Sequence, residues 1–497
     1  MHIADLFVLG LYAFGMLCIG RYYERRTETK EEYLNGGRNM NPIMIGLSLF
    51  ATLTSTISYL AFPGEMIKNG PMMFAQLLCF PFAFILVGWW LIPAIMKQNH
   101  VSSGYELLEL KLGLSGRLIG AGMFVVIRMV WMAAILYSLS DKVIVPLFKL
   151  DPQWSPWISL ITGIFTVVYT SAGGMRAVVL TDVIQAIIMF FGAVFVIFTI
   201  TVSLGGVSEW WPGKWALHWQ EPIFWFRSDV RITFMGAFLN MFVWMLCTSG
   251  SDQMAIQRYL SMSNPKVARK AFGIQMIVEI IMGALLGLVG LAVLGFYSAH
   301  QNQFGVGVDL ITKADELFPS YIANAMPVGF SGLVIAALFS AAMSSLSSGM
   351  NSSSAVIESD FINRFSPNSD SKTNNLNQVR VISAVVGIFA ILISTVIGKL
   401  GENLLEIGIK AINLLTAPLF VLFFLALFIR RATPLSGIIS TIVSVTVAIS
   451  ISFFNIFGLE FMWSAPCSLL AGISAGILTS LLPIEKKNLH KNINNNA

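Results

Sequence analysis

Apolar residues run along this chain in blocks of about twenty, broken by short polar stretches. A helix that crosses a hydrocarbon layer of about 30 Å needs about 20 such residues. By that rule the pattern predicts about thirteen spans. They run Ala4–Gly20, Asn41–Phe62, Met72–Met96, Leu118–Leu147, Pro156–Thr170, Val178–Leu204 and Ile232–Met254, then Ala271–Tyr297, Ala325–Ile357, Val379–Ile397, Leu404–Phe428, Leu435–Phe454 and Met462–Leu482. The expected architecture is an all-α integral membrane protein with one transmembrane domain over 1–484 and a polar tail over 485–497.

Composition agrees with this pattern. Of 497 residues, 56% are hydrophobic and 11% charged, where a soluble domain carries roughly 25% charged residues. The formal net charge of +5 lies mostly in loops, so it reads as topology bias and implies no nucleic-acid partner. Arg21, Arg25, Arg26, Lys30 and Arg38 fill the first loop. Lys111 and Arg117, Arg176, then Arg258, Lys266, Arg269 and Lys270 fall on the same side, with Arg430, Arg431 and the tail lysines. The positive-inside rule then puts the N-terminus outside and the C-terminus in the cytoplasm of a cell (inner) membrane. The loop Gly205–Arg231 carries Trp210, Trp211, Trp215, Trp219 and Trp225, the composition of an interfacial aromatic belt.

Cysteine and histidine narrow the chemistry. Cys18, Cys79, Cys247 and Cys467 lie in apolar stretches without CxxC spacing, which argues against a disulfide framework or metal knot. The five histidines lie in loops or tails, so haem or di-metal ligation within the bilayer is not expected. No nucleophile–base pair stands out, and no repeated filter motif suggests a channel. An enzyme is therefore not expected.

Polar residues inside spans are costly and point to function. The second span holds Thr52, Thr54, Ser55, Thr56 and Ser58 in one short run, followed by Pro63 and Gly64. Such hydroxyls compete for backbone hydrogen bonds. They either unwind the helix and free carbonyls as ligands or serve close packing of small residues. The ninth span holds Ser340, Ser344, Ser345, Ser347 and Ser348. A hard cation takes several oxygen ligands, and hydroxyls supply them without fixed charge; close packing is the alternative. Asp182 is either a helix N-terminal acid or a carboxylate that neutralises a cation.

These motifs resemble the sodium:solute symporter family. Glu31-Glu32-Tyr33-Leu34-Asn35-Gly36-Gly37-Arg38 leads into the hydroxyl-rich span. Gly173-Gly174-Met175-Arg176 precedes Thr181-Asp182-Val183-Ile184-Gln185, and Gly332 through Ser348 forms the third match. Asp252-Gln253 with Gln257-Arg258-Tyr259 agrees as well. The resemblance implies a LeuT-like fold of five-plus-five inverted repeats, roughly 41–204 and 232–428, with the first helix of each repeat broken and the solute near the midplane. It implies Na+ as the coupling ion and function as a monomer in the lipid bilayer. One sodium would be bound by backbone carbonyls of Ala51, Thr54 and Ala341 and by hydroxyls of Ser344 and Ser345. A second would be bound by Asp182, Ser344, Ser347 and Ser348.

The solute is less legible. Ser55, Thr56 and Ser58, Gln76 and Asn240 are the polar candidates, with Arg128 and Lys410 as intramembrane cations. Arg128 lies ten residues past Leu118, roughly 15 Å along a helix, too deep to snorkel easily. Either it pairs with Glu279 or it meets an anionic solute. In sialic-acid-transporting relatives Gln76 matches a substrate-side glutamine, but their carboxylate-binding arginine falls near Met132. A cation at Lys410 speaks against a hexose. The expectation is a small organic anion of the sialic acid or monocarboxylate type; the alternative is a neutral sugar, inositol or proline.

Overall fold

A computed structural model describes residues 2–97, 103–227, 229–230, 232–300, 313–365, 376–400, 402–454 and 456–482, and the side chains of 398–413 and 457 lie outside that description. The tail 485–497 therefore lies outside the described residues. Every regular element among those described is helical.

Ten helical stretches among the described residues are long and apolar enough to cross a membrane, and Pro42–Leu53 and Leu414–Phe428 are shorter apolar helices. Ser155–Leu204 contains both expected spans, Pro156–Thr170 and Val178–Leu204, separated at the non-helical Gly174 with φ 64° and ψ −165°. A second such glycine, Gly113 with φ 68° and ψ −174°, divides Glu106–Ser138 just before the expected Leu118.

Gly174 is required for two reasons. Its positive φ is open to glycine and strained for other residues, and a Cβ there would sit 2.9 Å from the Tyr33 carbonyl oxygen and 2.7 Å from its ring. Gly174→Ala is expected to cost about 1–3 kcal/mol from backbone strain alone, with the overlap adding to it. A lowered melting temperature and a loss of monodisperse protein should follow; an unchanged melting temperature would mean the kink tolerates a side chain.

The expected span Asn41–Phe62 is two helices. Pro42–Leu53 starts with Asn41 accepting the Ile43 N–H at 2.8 Å. It ends at Thr54 (φ −89°, ψ 106°) and Ser55 (φ −99°, ψ 170°), both extended. Ser55 then caps Thr56–Asn69. Phe234–Ser251 is interrupted in the same way at Asp252 (φ −79°, ψ 126°) before Gln253–Leu260. Both helices that were expected to open a repeat are thus broken.

The serine-rich stretch Phe330–Phe365 is the most enclosed candidate span among the described residues, with 83% of its apolar window buried. Small residues allow this close approach. A Cβ on Gly192 would meet Ala337 Cβ at 2.6 Å, and one on Gly349 would meet the Met132 sulfur at 2.8 Å. The first helix, Ile3–Glu24, caps the N-terminus of the serine-rich helix Phe330–Val356. Asp5 Oδ1 accepts from Gly329 N, Ser331 Oγ and Gly332 N at 2.8, 2.8 and 3.0 Å.

The tryptophan loop is only partly an interfacial belt. Trp211, Trp215 and Trp225 are exposed, but Trp210 and Trp219 are buried. Trp219 Nε1 donates to the Ile67 carbonyl at 2.8 Å, and Trp210 Nε1 donates to Thr201 Oγ1 at 2.8 Å. An indole buried against protein finds a partner for its N–H; Trp219 thereby anchors the loop onto the second half of the broken helix, and Trp210 onto Ser155–Leu204.

Candidate functional site

The break at Thr54–Ser55 defines the site. The last carbonyls of a helix have no intrahelical donor. Here two serines from Phe330–Val356 meet them. Ser344 Oγ donates to Ala51 O at 2.8 Å and to Ala341 O at 3.2 Å, and Ser345 Oγ donates to Thr52 O at 3.1 Å. Ala51, Ala341, Ser344 and Ser345 are at most 1% exposed, and Thr54 is 7% exposed at the break. Carbonyls and hydroxyls alone, from two helices, suit a hard monovalent cation. The structure brings together Ala51, Ala341, Ser344 and Ser345 as expected. It adds the Thr52 carbonyl, which a helical reading of that residue hides.

The second cluster centres on Asp182. It is fully buried in the middle of Ser155–Leu204, eight residues past the kink. The helix-start reading therefore does not hold. Its Oδ2 accepts from Ser48 Oγ at 2.5 Å and from Arg258 at 2.8 Å. Arg258 Nε also donates to Ser48 Oγ at 2.8 Å, and its second nitrogen reaches Ser348 Oγ at 2.6 Å. Thr52 Oγ1 lies 3.0 Å from Ser348 Oγ and 3.4 Å from Asp182 Oδ2. Of the residues expected around a second sodium, Asp182 and Ser348 meet directly, at 3.5 Å. Ser347 Oγ turns back to Ser344 O at 3.1 Å.

Its place in the sequence predicts Arg258 to be a cytoplasmic loop charge. It is 1% exposed, inside the short helix Gln253–Leu260. That helix is pinned by Gln253, which accepts from Gly104 N at 2.9 Å, and by Gln257, which donates to the Leu34 carbonyl and accepts from Ser352 Oγ at 2.8 Å. The signal was present in Asp252-Gln253 and Gln257-Arg258, whose partners lie far away in sequence. Arg117 is corrected likewise. It lies within Glu106–Ser138, 8% exposed, bonded to Asp360 at 2.6 Å and Glu109 at 2.7 Å.

The solute candidates separate. Gln76 is buried, and its Nε2 has no hydrogen-bond partner among the described residues. A bare amide donor is what a bound solute would satisfy. Thr56 is taken up structurally, since its Oγ1 donates to Leu338 O at 2.9 Å. Ser55 Oγ and Ser58 Oγ lie 3.3 Å apart at the cap, beside the break. Asn240 Nδ2 donates to the Met462 carbonyl at 2.6 Å, a tie to the turn before the last helix. Arg128 is buried and paired with Asp252, not Glu279. Asp252 Oδ1 meanwhile accepts from Met254 N at 2.9 Å. Met132, one turn from Arg128, is buried against Gly349. The side chain of Lys410 lies outside the described residues.

Comparison with known proteins gives a consistent picture. The model of the sodium:solute symporter family matches residues 33–444. The sodium/sialic acid symporter SiaT of Proteus mirabilis is 27% identical over 496 residues, covering 97% of this chain and 96% of its own. The sodium-dependent multivitamin transporter of Oryctolagus cuniculus is 28% identical over 463 residues, covering 90% of this chain and 70% of its own. The Vibrio parahaemolyticus sodium/glucose cotransporter is 24% identical, covering 90% and 85%. Among solved structures, a substrate-bound, outward-open Na+-coupled sialic acid symporter superposes with a TM-score of 0.84 at 24% identity over 96% of this chain and 98% of that one. The transporter Mhp1 gives a TM-score of 0.52 at 14% identity, covering 89% and 93%. These superpositions place the fold among LeuT-like transporters.

Proposed function

Because the chain belongs to the sodium:solute symporter family, we propose that it imports a small organic anion together with sodium, acting as a monomer with its N-terminus outside and its C-terminus in the cytoplasm. The observation that carries the reading is the meeting of Ala51, Thr52 and Ala341 carbonyls with Ser344 and Ser345 hydroxyls at the break. The hydroxyls donate to the carbonyls. A bound sodium would take the carbonyl oxygens and the hydroxyl lone pairs together, with Thr54 contributing its carbonyl. Ion and solute sites would share the broken helix: the break ends one half at the ion and starts the other at Ser55 and Ser58, with Gln76 in the next element, Gly70–Leu78. Sodium binding would thus set the geometry that the solute meets, which is the physical content of coupling. A second sodium would use Asp182 and Ser348, with Ser344 and Ser347 turning toward it.

The anion assignment rests on the sialic acid symporters that match nearly the whole chain and on the bare Gln76 amide donor. One observation favours the neutral-solute reading. Arg128 is already paired with Asp252 through one nitrogen, which offsets its charge toward a carboxylate although its Nε is bare among the described residues, and Lys410 is the other cationic candidate.

Proteoliposome uptake of a panel of sialic acids, monocarboxylates, vitamins, sugars and proline under an inward sodium gradient tests both. Uptake of an anion is expected, with none when potassium replaces sodium. Uptake indifferent to that replacement would end the sodium reading. An uncharged sugar as the best solute would end the anion reading alone. Gln76→Leu is expected to weaken solute affinity about fivefold to tenfold, in line with one lost hydrogen bond of about 1 kcal/mol or slightly more, with sodium binding unchanged.

A further inference from the structure

Asp182 has two carboxylate oxygens with opposite circumstances. Oδ2 receives Ser48 and Arg258. Oδ1 is buried and has no hydrogen-bond partner among the described residues. One turn further along the same helix face, Gln185 Oε1 is also buried and without a partner, while its Nε2 donates to Tyr12 Oη at 2.9 Å. Two bare acceptor oxygens, one of them anionic, are expensive to bury unless something positive meets them. Arg258 cannot serve both sides, because its three nitrogens are engaged with Ser48, Met254 O, Asp182 Oδ2 and Ser348.

We propose that Asp182 is a shared carboxylate: Arg258 holds Oδ2 as a positioning residue, Oδ1 together with Gln185 Oε1 receives the second sodium ion, and the fixed guanidinium charge keeps that ion weakly bound. This rests on the reading of Asp182 as a second sodium site and deepens it in two ways. It adds Gln185 as a ligand, and it gives Arg258 the task of lowering affinity. A transported ion must leave into the cytoplasm, so a lone buried aspartate would hold it too well. A guanidinium on the opposite oxygen offsets much of that attraction. Like charges about 5 Å apart at an effective dielectric near 20 repel enough to weaken binding on the order of a hundredfold. The same guanidinium holds Oδ2 against Ser48 of the broken helix and Ser348, which leaves Oδ1 bare.

A purely structural role makes the opposite prediction. If Arg258 only braces the bundle, removing it loosens Asp182 and sodium binds less well. If it repels the ion, removing it makes sodium bind more tightly. The experiment is radioactive sodium binding to purified protein, with the ion alone as ligand, alongside sodium efflux from proteoliposomes. The wild type is expected to show two classes of sodium site, a tight one and a weak one. In Arg258→Gln the weak class should tighten tenfold or more while the tight class stays put, and sodium release should slow. Arg258→Lys, which keeps the charge, should retain a weak second class.

A folded Arg258→Gln protein whose second class weakens or does not change overturns the proposal. If that variant does not fold, Gln185→Leu with Arg258 intact decides: loss of the weak class alone supports the proposal, and its persistence overturns it. Wild-type binding of a single ion, abolished by Ser344→Ala, would remove this inference and leave the first sodium site standing. Absence of saturable sodium binding would instead remove the reading of the site on which both rest.

Discussion

Removing the Ser344 and Ser345 hydroxyls together is expected to raise the sodium concentration for half-maximal uptake by about a hundredfold or more. A hydrogen bond or dipole contact to a charged group contributes about 1.5–3 kcal/mol, and about 1.4 kcal/mol is a factor of ten. Each single alanine variant should therefore shift sodium dependence about tenfold or more. The same two hydroxyls donate to the Ala51 and Thr52 carbonyls, so the variants also leave buried acceptors bare. That stability cost is separable, because it lowers the melting temperature in potassium as well as in sodium. Thr54→Val keeps the main-chain carbonyl at the break and is the natural control, with little change expected. Sodium dependence measured by uptake, and thermal stability measured in both cations, decide the matter. A double variant with wild-type sodium dependence would place the ion elsewhere.

Arg128→Gln is expected to destabilise the protein by about 3–5 kcal/mol, the usual consequence of breaking a buried ion pair from one side. Arg128 and Asp252 are 7% and 4% exposed, and the variant would leave the Asp252 carboxylate buried without its cation. Asp252 also starts the helix Gln253–Leu260 through Met254, the helix that carries Arg258. Damage should therefore spread to sodium binding at Asp182. Adding Asp252→Asn restores neutrality while keeping the capping oxygen, and should recover most of the lost stability. Thermal unfolding of the three variants measures this. If Arg128→Gln melts like the parent but loses solute affinity, Arg128 faces the solute and the ion pair is incidental.

Two corrections from the charged residues share one cause. Arg117 and Arg258 both stand near ends of apolar runs, where a linear reading assigns them to loops. Both prove to be buried, because acids distant in sequence, Asp360 and Asp182, come to meet them. Arg128 was legible as an intramembrane charge in need of a partner; which acid supplied it was not. A span scan reads charge against local hydropathy, and it cannot see a counter-charge 243 residues away, as between Arg117 and Asp360.

Local chemistry was enough for several features. The alternation of apolar blocks and cationic loops determined a helical membrane bundle, since a backbone in lipid must satisfy its own hydrogen bonds. The run from Thr52 to Ser58 pointed to two readings, a break in the second span or close packing of small residues, because adjacent hydroxyls compete with the helix for backbone groups; the family resemblance implied the break. The serine spacing in 340–348 marked that helix as a candidate source of hydroxyls, with close packing as the alternative. Tertiary structure alone decided the rest. It decided that Ser345 meets the Thr52 carbonyl, that Trp219 seals against Ile67, that Asp252 and not Glu279 neutralises Arg128, and that Arg258 occupies one side of Asp182. Each is a contact between elements far apart in the chain. Such contacts are set by how kinked helices pack against one another, and hydropathy and propensity describe only neighbours along the sequence.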